Sequence, residues 1–168
     1  MGCIRAFLAV VAISLVCLLT SCNLTKREPV FFLSFHQLAA GAETIPGGLI
    51  MPVRSADEAQ ERYVRRFPLL TSEYIYKAEL LPSPDGRRHG LRVYFDDTAV
   101  GLWRDASGYH YGAEVAVIVD GFLAGYTDLP ARMDENKIFD IRALWSRQEA
   151  QAIVDNVGRN YKIYNDKW

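Results

Sequence analysis

Leu19-Thr20-Ser21-Cys22 closes an apolar stretch that begins after Arg5, and it has the form of a lipobox. A positive start at Arg5, an apolar run from Ala6 to Leu19 and small residues ahead of a cysteine make a bacterial secretory signal, not a folded element. The run is too short to cross a bilayer as a helix, which takes roughly 20 residues. An ordinary signal peptide cut after another small residue, or an uncleaved anchor, is the alternative. On the lipobox reading residues 1–21 are discarded, and Cys22 becomes the first residue and carries diacylglycerol and an amide-linked acyl chain such as palmitate.

This assignment constrains everything downstream. Cys3 and Cys17 leave with the signal, so Cys22 is the sole remaining cysteine and its sulfur is occupied. The folded part can form no disulfide, although an oxidising compartment would allow one, and must be held by packing. Removing the first 21 of 168 residues leaves 147, enough for a single domain with its own core. Losing Arg5 reduces 19 basic residues to 18 against 20 acidic ones, which excludes the basic stripe a nucleic-acid partner needs. Residues 22–29 form a tether whose reach, at about 3.5 Å per residue, keeps the domain close to the membrane. Asn23, not Asp, follows the cysteine, which favours the outer over the inner membrane. The expected place is the cell envelope, lipid-anchored on the periplasmic side.

From residue 30 onward the pattern is α+β, a single compact domain over 30–168 with an antiparallel sheet and two or three helices packed on one face. Val30 to Leu38 and Leu49 to Val53 are β-branched and aromatic runs around a glycine-rich connection. Ser55-Ala56-Asp57-Glu58 predicts a short helix that Pro68 stops. Tyr76 to Leu81 and Leu91 to Phe95 flank the turn residues Pro82-Ser83-Pro84-Asp85-Gly86, predicting a hairpin. Ala99, Leu102, Trp103 and Ala106 predict a helix from Asp97 to Ala106 closed by Gly108. Val115 to Val119 is apolar throughout, a strand covered on both faces, and Asp120-Gly121 turns it into Phe122 to Tyr126. Lys137 to Leu144 is the last strand. The capping box Ser146-Arg147-Gln148-Glu149 opens a helix with Ala150, Ile153, Val154 and Val157 on one face, ending before Gly158.

In this series Leu70-Thr71-Ser72-Glu73-Tyr74-Ile75 leads into a strand, and Ala116-Val117-Ile118-Val119-Asp120-Gly121 is an apolar strand ending in Asp-Gly. Ser146-Arg147-Gln148-Glu149-Ala150 then opens the closing helix. Over residues 70–157 the order and spacing resemble the head of the first periplasmic domain of the SecD subunit of the bacterial preprotein translocase. The resemblance implies the fold and an ability to contact extended polypeptide in the envelope. Gly125-Tyr126-Thr127 stands where that family has Ser-Ala-Pro, and no glycine pair precedes the last strand. The SecD subunit is also a multispan membrane protein, whereas beyond its signal this sequence has no apolar run long enough to span a membrane.

No pattern points to catalysis, a metal or a cofactor. His36, His89 and His110 sit on three different elements without Cys or His at ligand spacing. His89 beside a turn reads as solvated, and Tyr109-His110-Tyr111 as packing at the entrance to a strand. Asp96 and Asp97 read as helix caps, Asp134-Glu135-Asn136 as a turn, and Gly47-Gly48 lacks the helix a phosphate cradle requires. Two readings remain. In the first, a non-catalytic lipid-anchored module binds unfolded secreted polypeptide or a Sec translocase component through Tyr109, Tyr111, Phe122 and Tyr126, with the membrane as its other partner through Cys22. In the second, a structural lipoprotein supports an envelope assembly through a fixed folded partner. An exposed groove or open strand edge would favour the first, and a broad flat apolar patch the second. Since only a thiol at residue 22 can be alkylated, Cys22→Ser is expected to abolish metabolic lipid labelling and accumulate unprocessed precursor. Lipid label on the serine variant would refute the lipobox.

Overall fold

The computed structural model describes residues 28–39, 50–53, 62–84, 86–110, 113–128 and 136–166. The lipobox and Cys22 lie outside the described residues, as do the Ser55–Glu58 segment and Tyr111. Among the described residues no helix is long and apolar enough to cross a membrane.

The elements are β1 (Leu33–Gln37), β2 (Ile50–Val53), β3 (Arg62–Arg65), β4 (Leu70–Thr71), a single 3-10 turn (Ser72–Tyr74), β5 (Ile75–Pro82), β6 (His89–Phe95), α1 (Asp97–His110), β7 (Glu114–Val119), β8 (Phe122–Asp128), β9 (Ile138–Trp145) and α2 (Arg147–Asn165). The fold is α+β with every strand pairing antiparallel. The strands divide into a four-stranded sheet ordered β4-β1-β7-β8, a three-stranded sheet ordered β5-β6-β9, and a β2-β3 ribbon.

One core joins the two larger sheets and both helices. Leu33, Phe35, Val115 and Val117 come from the four-stranded sheet, and Leu91, Val93, Phe139 and Ile141 from the three-stranded one. Ala99 and Trp103 belong to α1, and Ala150, Ile153 and Val157 to α2. Its centre is aromatic: the Trp103 ring lies edge-on 5.0 Å from Phe139, which in turn meets Phe35 at 5.8 Å. The alternate residues of β7, Ala116 and Ile118, face a second cluster with Val53 and Val64 of the ribbon. This explains the unbroken apolar run, because β7 is covered on both faces as expected. The outward face of the three-stranded sheet is polar: Lys77 pairs with Glu79 and Arg92 with Asp140, both at 2.7 Å, and the Tyr94 hydroxyl donates to Glu79 at 2.8 Å.

Several expectations require correction. The helix predicted between Ser55 and Pro68 is at least partly strand, because Tyr63 and Val64 pair with Pro52 and Met51. Burial of Val64 against β7 outweighs the local capping signal. β1 begins at Leu33 rather than Val30, and it pairs with β4 and β7. The helix α1 continues through Gly108 to His110, so Tyr109 and His110 lie in its last turn and not at a strand entrance. Leu102, expected on the buried face, is exposed. Gly158 lies inside α2, where the helix passes the β5 backbone with 3.8 Å between a virtual Cβ and the Tyr76 carbonyl oxygen. Contacts beyond that point keep the helix going: Tyr161 meets Tyr76 edge-on at 6.3 Å, and the Asn165 side-chain amide donates to the Glu73 carbonyl at 2.7 Å.

The ribbon is tied to the sheet partly by a buried histidine. His36 Nδ1 lies 2.8 Å from the Arg65 carbonyl oxygen and therefore carries the proton, leaving Nε2 to accept from the Ser34 hydroxyl at 3.0 Å. Burial pushes the His36 imidazole below the ordinary value of 6.5, against a smaller opposite effect of the bond to Arg65. In the unfolded chain this histidine takes a proton as pH falls past about 6.5, while in the fold it resists. Its linkage is therefore absent above that pH and costs stability progressively below it, down to the lowered native value. Unfolding midpoints at pH 7.5 and 5.5 are expected to fall further apart in the parent than in His36→Gln, and an equal difference in both would contradict this account.

Candidate functional site

The capping box at Ser146 decides where β9 ends. The Ser146 hydroxyl accepts the Glu149 N–H at 3.3 Å, and the Glu149 carboxylate accepts the Ser146 N–H at 2.9 Å and its hydroxyl at 2.8 Å. Those bonds from Ser146 hold the Glu149 carboxyl below its usual range. The chain therefore leaves the sheet after Trp145 and turns away as α2.

Up to that point the free edges of β8 and β9 are held side by side. Arg142 pairs with Asp128, and the Leu144 side chain seats against Gly125, where an added Cβ would come within 2.7 Å of Leu144 Cδ2. Gly125 also has φ +151, beyond the reach of most side chains. Among the described residues no backbone hydrogen bond joins β8 to β9. Before Gly125 the first half of β8 has β7 on one side and, since β9 has ended, no strand among the described residues paired on the other.

A groove of about 470 Å³ opens there. The β7-β8 hairpin supplies Val119, Phe122, Leu123 and Ala124, and the β9-α2 junction supplies Leu144, Trp145, Ser146, Glu149 and Ile153. The loop between β5 and β6 places the exposed Arg87 and Arg88 at the rim. Phe31 forms the remaining wall.

Phe31 reaches this position through an unusual backbone. The turn after β7 has φ +48 at Asp120 and +87 at Gly121, the two positive angles that a tight hairpin of the primed type needs. The Asp120 carboxylate accepts the N–H groups of Phe31 and Phe32, both at 2.8 Å, and the Asp120 N–H donates to the Phe32 carbonyl at 3.0 Å. Phe31 is thereby held at φ +52, a conformation that costs a bulky residue on the order of 1–3 kcal/mol. One residue earlier, the fully buried Asn160 donates to the Val30 carbonyl at 2.7 Å and accepts its N–H at 3.2 Å. Residues 28–32 thus form a strap across α2 that ends in the groove wall.

The residues expected from sequence do not converge. Phe122 stands at the mouth of the groove with 74% of its surface exposed. Tyr126 is half-buried on the opposite face, against the cluster of Val53 and Val64, because an extra residue in β8 resets the alternation between Leu123 and Gly125. Tyr109 lies in the last turn of α1. Asp96 caps α1 as expected, accepting the Ala99 N–H at 3.0 Å, and Asp97 pairs with Lys137. His89 is half-buried opposite Trp145 rather than solvated. Among the described residues no three His, Cys, Asp or Glu side chains are grouped so as to hold a metal ion. Sequence reading missed Phe31, the clamp at Asp120 and Asn160. Asn160 carried a signal: it continues the stripe of Ala150, Ile153 and Val157, and a polar residue there needs a buried partner.

Neither a protein-family model nor a curated protein matches the chain. Solved structures match in fold, among them the following two. A chain described as a membrane component SecDF that enhances protein export superposes with a TM-score of 0.55 at 14% identity, over 83% of this chain and 67% of that one. SecDF in a super-membrane-facing form gives 0.54 at 16% identity, over 76% of this chain but 18% of that one. At these identities the likeness concerns the fold, which is SecDF-like.

Proposed function

We propose that the chain is a non-catalytic, lipid-anchored envelope protein, held to the periplasmic side of a membrane through Cys22. Its SecD-head-like domain binds extended polypeptide, either an unfolded secreted chain or a segment of a translocase component. The observation that carries this reading is the groove beside the edge of β8, where no described strand pairs with its first half and an extended chain would find backbone groups next to an apolar floor. The SecDF-like fold supports the same direction. A fixed structural partner would call for a broad apolar face, and the flat outer face of the three-stranded sheet instead carries Lys77–Glu79 and Arg92–Asp140 ion pairs.

Binding of this kind uses main-chain hydrogen bonds with little sequence preference, so its affinity is modest. Confinement of the domain near the membrane raises the effective concentration of any chain emerging there, which lets a weak site act. A reduced, unfolded secretory protein and its folded form, titrated against the purified protein without added metal or cofactor, distinguish the readings. The unfolded form is expected to bind preferentially. Equal or negligible binding to both would transfer support to the structural lipoprotein.

A further inference from the structure

Resting on the anchor at Cys22, we propose that the domain is seated on the bilayer, and that the face entering the headgroup region is formed by the strap of residues 28–32 together with Phe122 and Tyr164. Among the described residues, Val30, Phe31, Phe122 and Tyr164 are large apolar or aromatic side chains left exposed. They are neighbours: Phe31 and Phe122 line the same groove, and Tyr164 meets Phe32, the next residue of the strap, with ring centroids 5.6 Å apart. The other exposed residues of this kind, Phe67, Tyr76 and Leu102, belong to the β3-β4 connection, to β5 and to α1. A continuous exposed aromatic surface marks a place of contact with a membrane or a partner.

The tether decides which of these covers it. Fully extended, Cys22 through Arg27 reach at most about 21 Å. A domain of this size is roughly 35 Å across, so the side remote from the strap cannot be the one turned to the lipid. The attachment point is also fixed. Arg159 donates to the Glu28 carbonyl at 3.1 Å, Asn160 holds Val30 through both of its amide atoms, and Asp120 holds the amides of Phe31 and Phe32. A short tether on a fixed strap presents one face to the membrane. The strained backbone of Phe31 belongs to that face, since at φ +52 its ring stands partly in solvent in the same groove lining as Phe122. At the headgroup boundary such rings leave water while the Tyr164 hydroxyl stays hydrated. The groove shares Phe31 and Phe122 with this face, so a polypeptide bound there would lie along the lipid surface.

The test uses the lipidated chain in vesicles of neutral phosphatidylcholine. With Cys22 alkylated the processed chain has no free thiol, so Phe122→Cys, Tyr164→Cys, Phe67→Cys and Leu102→Cys each take one polarity-sensitive fluorophore. Lipids carrying a nitroxide near the headgroup are expected to quench the probes at positions 122 and 164 about twofold more than those at 67 and 102. All four replaced side chains are exposed, so the variants should melt with the parent. Equal quenching at the four positions, or none, would overturn the seated face and leave the anchor standing. A chain that fails to float with the vesicles would remove the anchor and the face together. Shielding of the probes at 122 and 164 by an added unfolded secretory protein, or by a higher protein density, without nitroxide quenching, would assign the face to polypeptide or to a second copy and overturn the proposal.

Discussion

The reciprocal hydrogen bonds between Ser146 and Glu149 set the geometry on which the rest depends. They end β9 while β8 still has an uncovered first half, and they launch α2 at an angle that makes Glu149 and Ile153 part of a groove rather than of a sheet. Had β9 continued, its backbone would have run on beside β8, and the two larger sheets would have approached a closed barrel. Instead the edges touch through side chains, Leu144 on Gly125 and Arg142 on Asp128, and then diverge. An unpaired edge is usually a liability that proteins shorten or block. Here it is short and lies beside the groove whose rim carries Arg87 and Arg88.

The second half of α2 has a different task. Asn160 is buried on the same stripe as Ala150, Ile153 and Val157, and both of its amide atoms are spent on Val30. Leaving those backbone groups unpaired would cost about 1–3 kcal/mol each. The strap is therefore fixed at one point by α2 and at the next by Asp120, so the chain enters the fold with Phe31 already in the groove wall. If Cys22 carries the anchor, the segment that ties the domain to the membrane is continuous with the segment that shapes the groove.

Much of this architecture was legible in the sequence. The two-faced burial of β7 follows from Val115 to Val119, the hairpin from Asp120-Gly121, the cap of α1 from Asp96 and the start of α2 from Ser146 and Glu149. These are local signals whose partners lie within a few residues. What failed depended on distant partners. The β2-β3 ribbon forms because Val64 is buried against β7, against a capping pattern at Ser55–Glu58. Gly158 does not stop α2 because Asn160, Tyr161 and Asn165 make tertiary contacts beyond it. The aromatic set fared likewise: of its described members only Phe122 lines the groove, since the extra residue that turns Tyr126 to the other face shows only in the pairing register. Phe31 has no sequence mark at all, because its conformation is imposed by a carboxylate 89 residues away.

The central claim is that the open half of β8 is where polypeptide is received, and amide hydrogen exchange reports on that edge directly. In the presence of a reduced, unfolded secretory protein, the outward-facing amides within Phe122–Ala124 are predicted to exchange more slowly, while those on the other free edges, β4 and β5, are unchanged. Protection on β4 or β5 with none at Phe122–Ala124 would contradict the account.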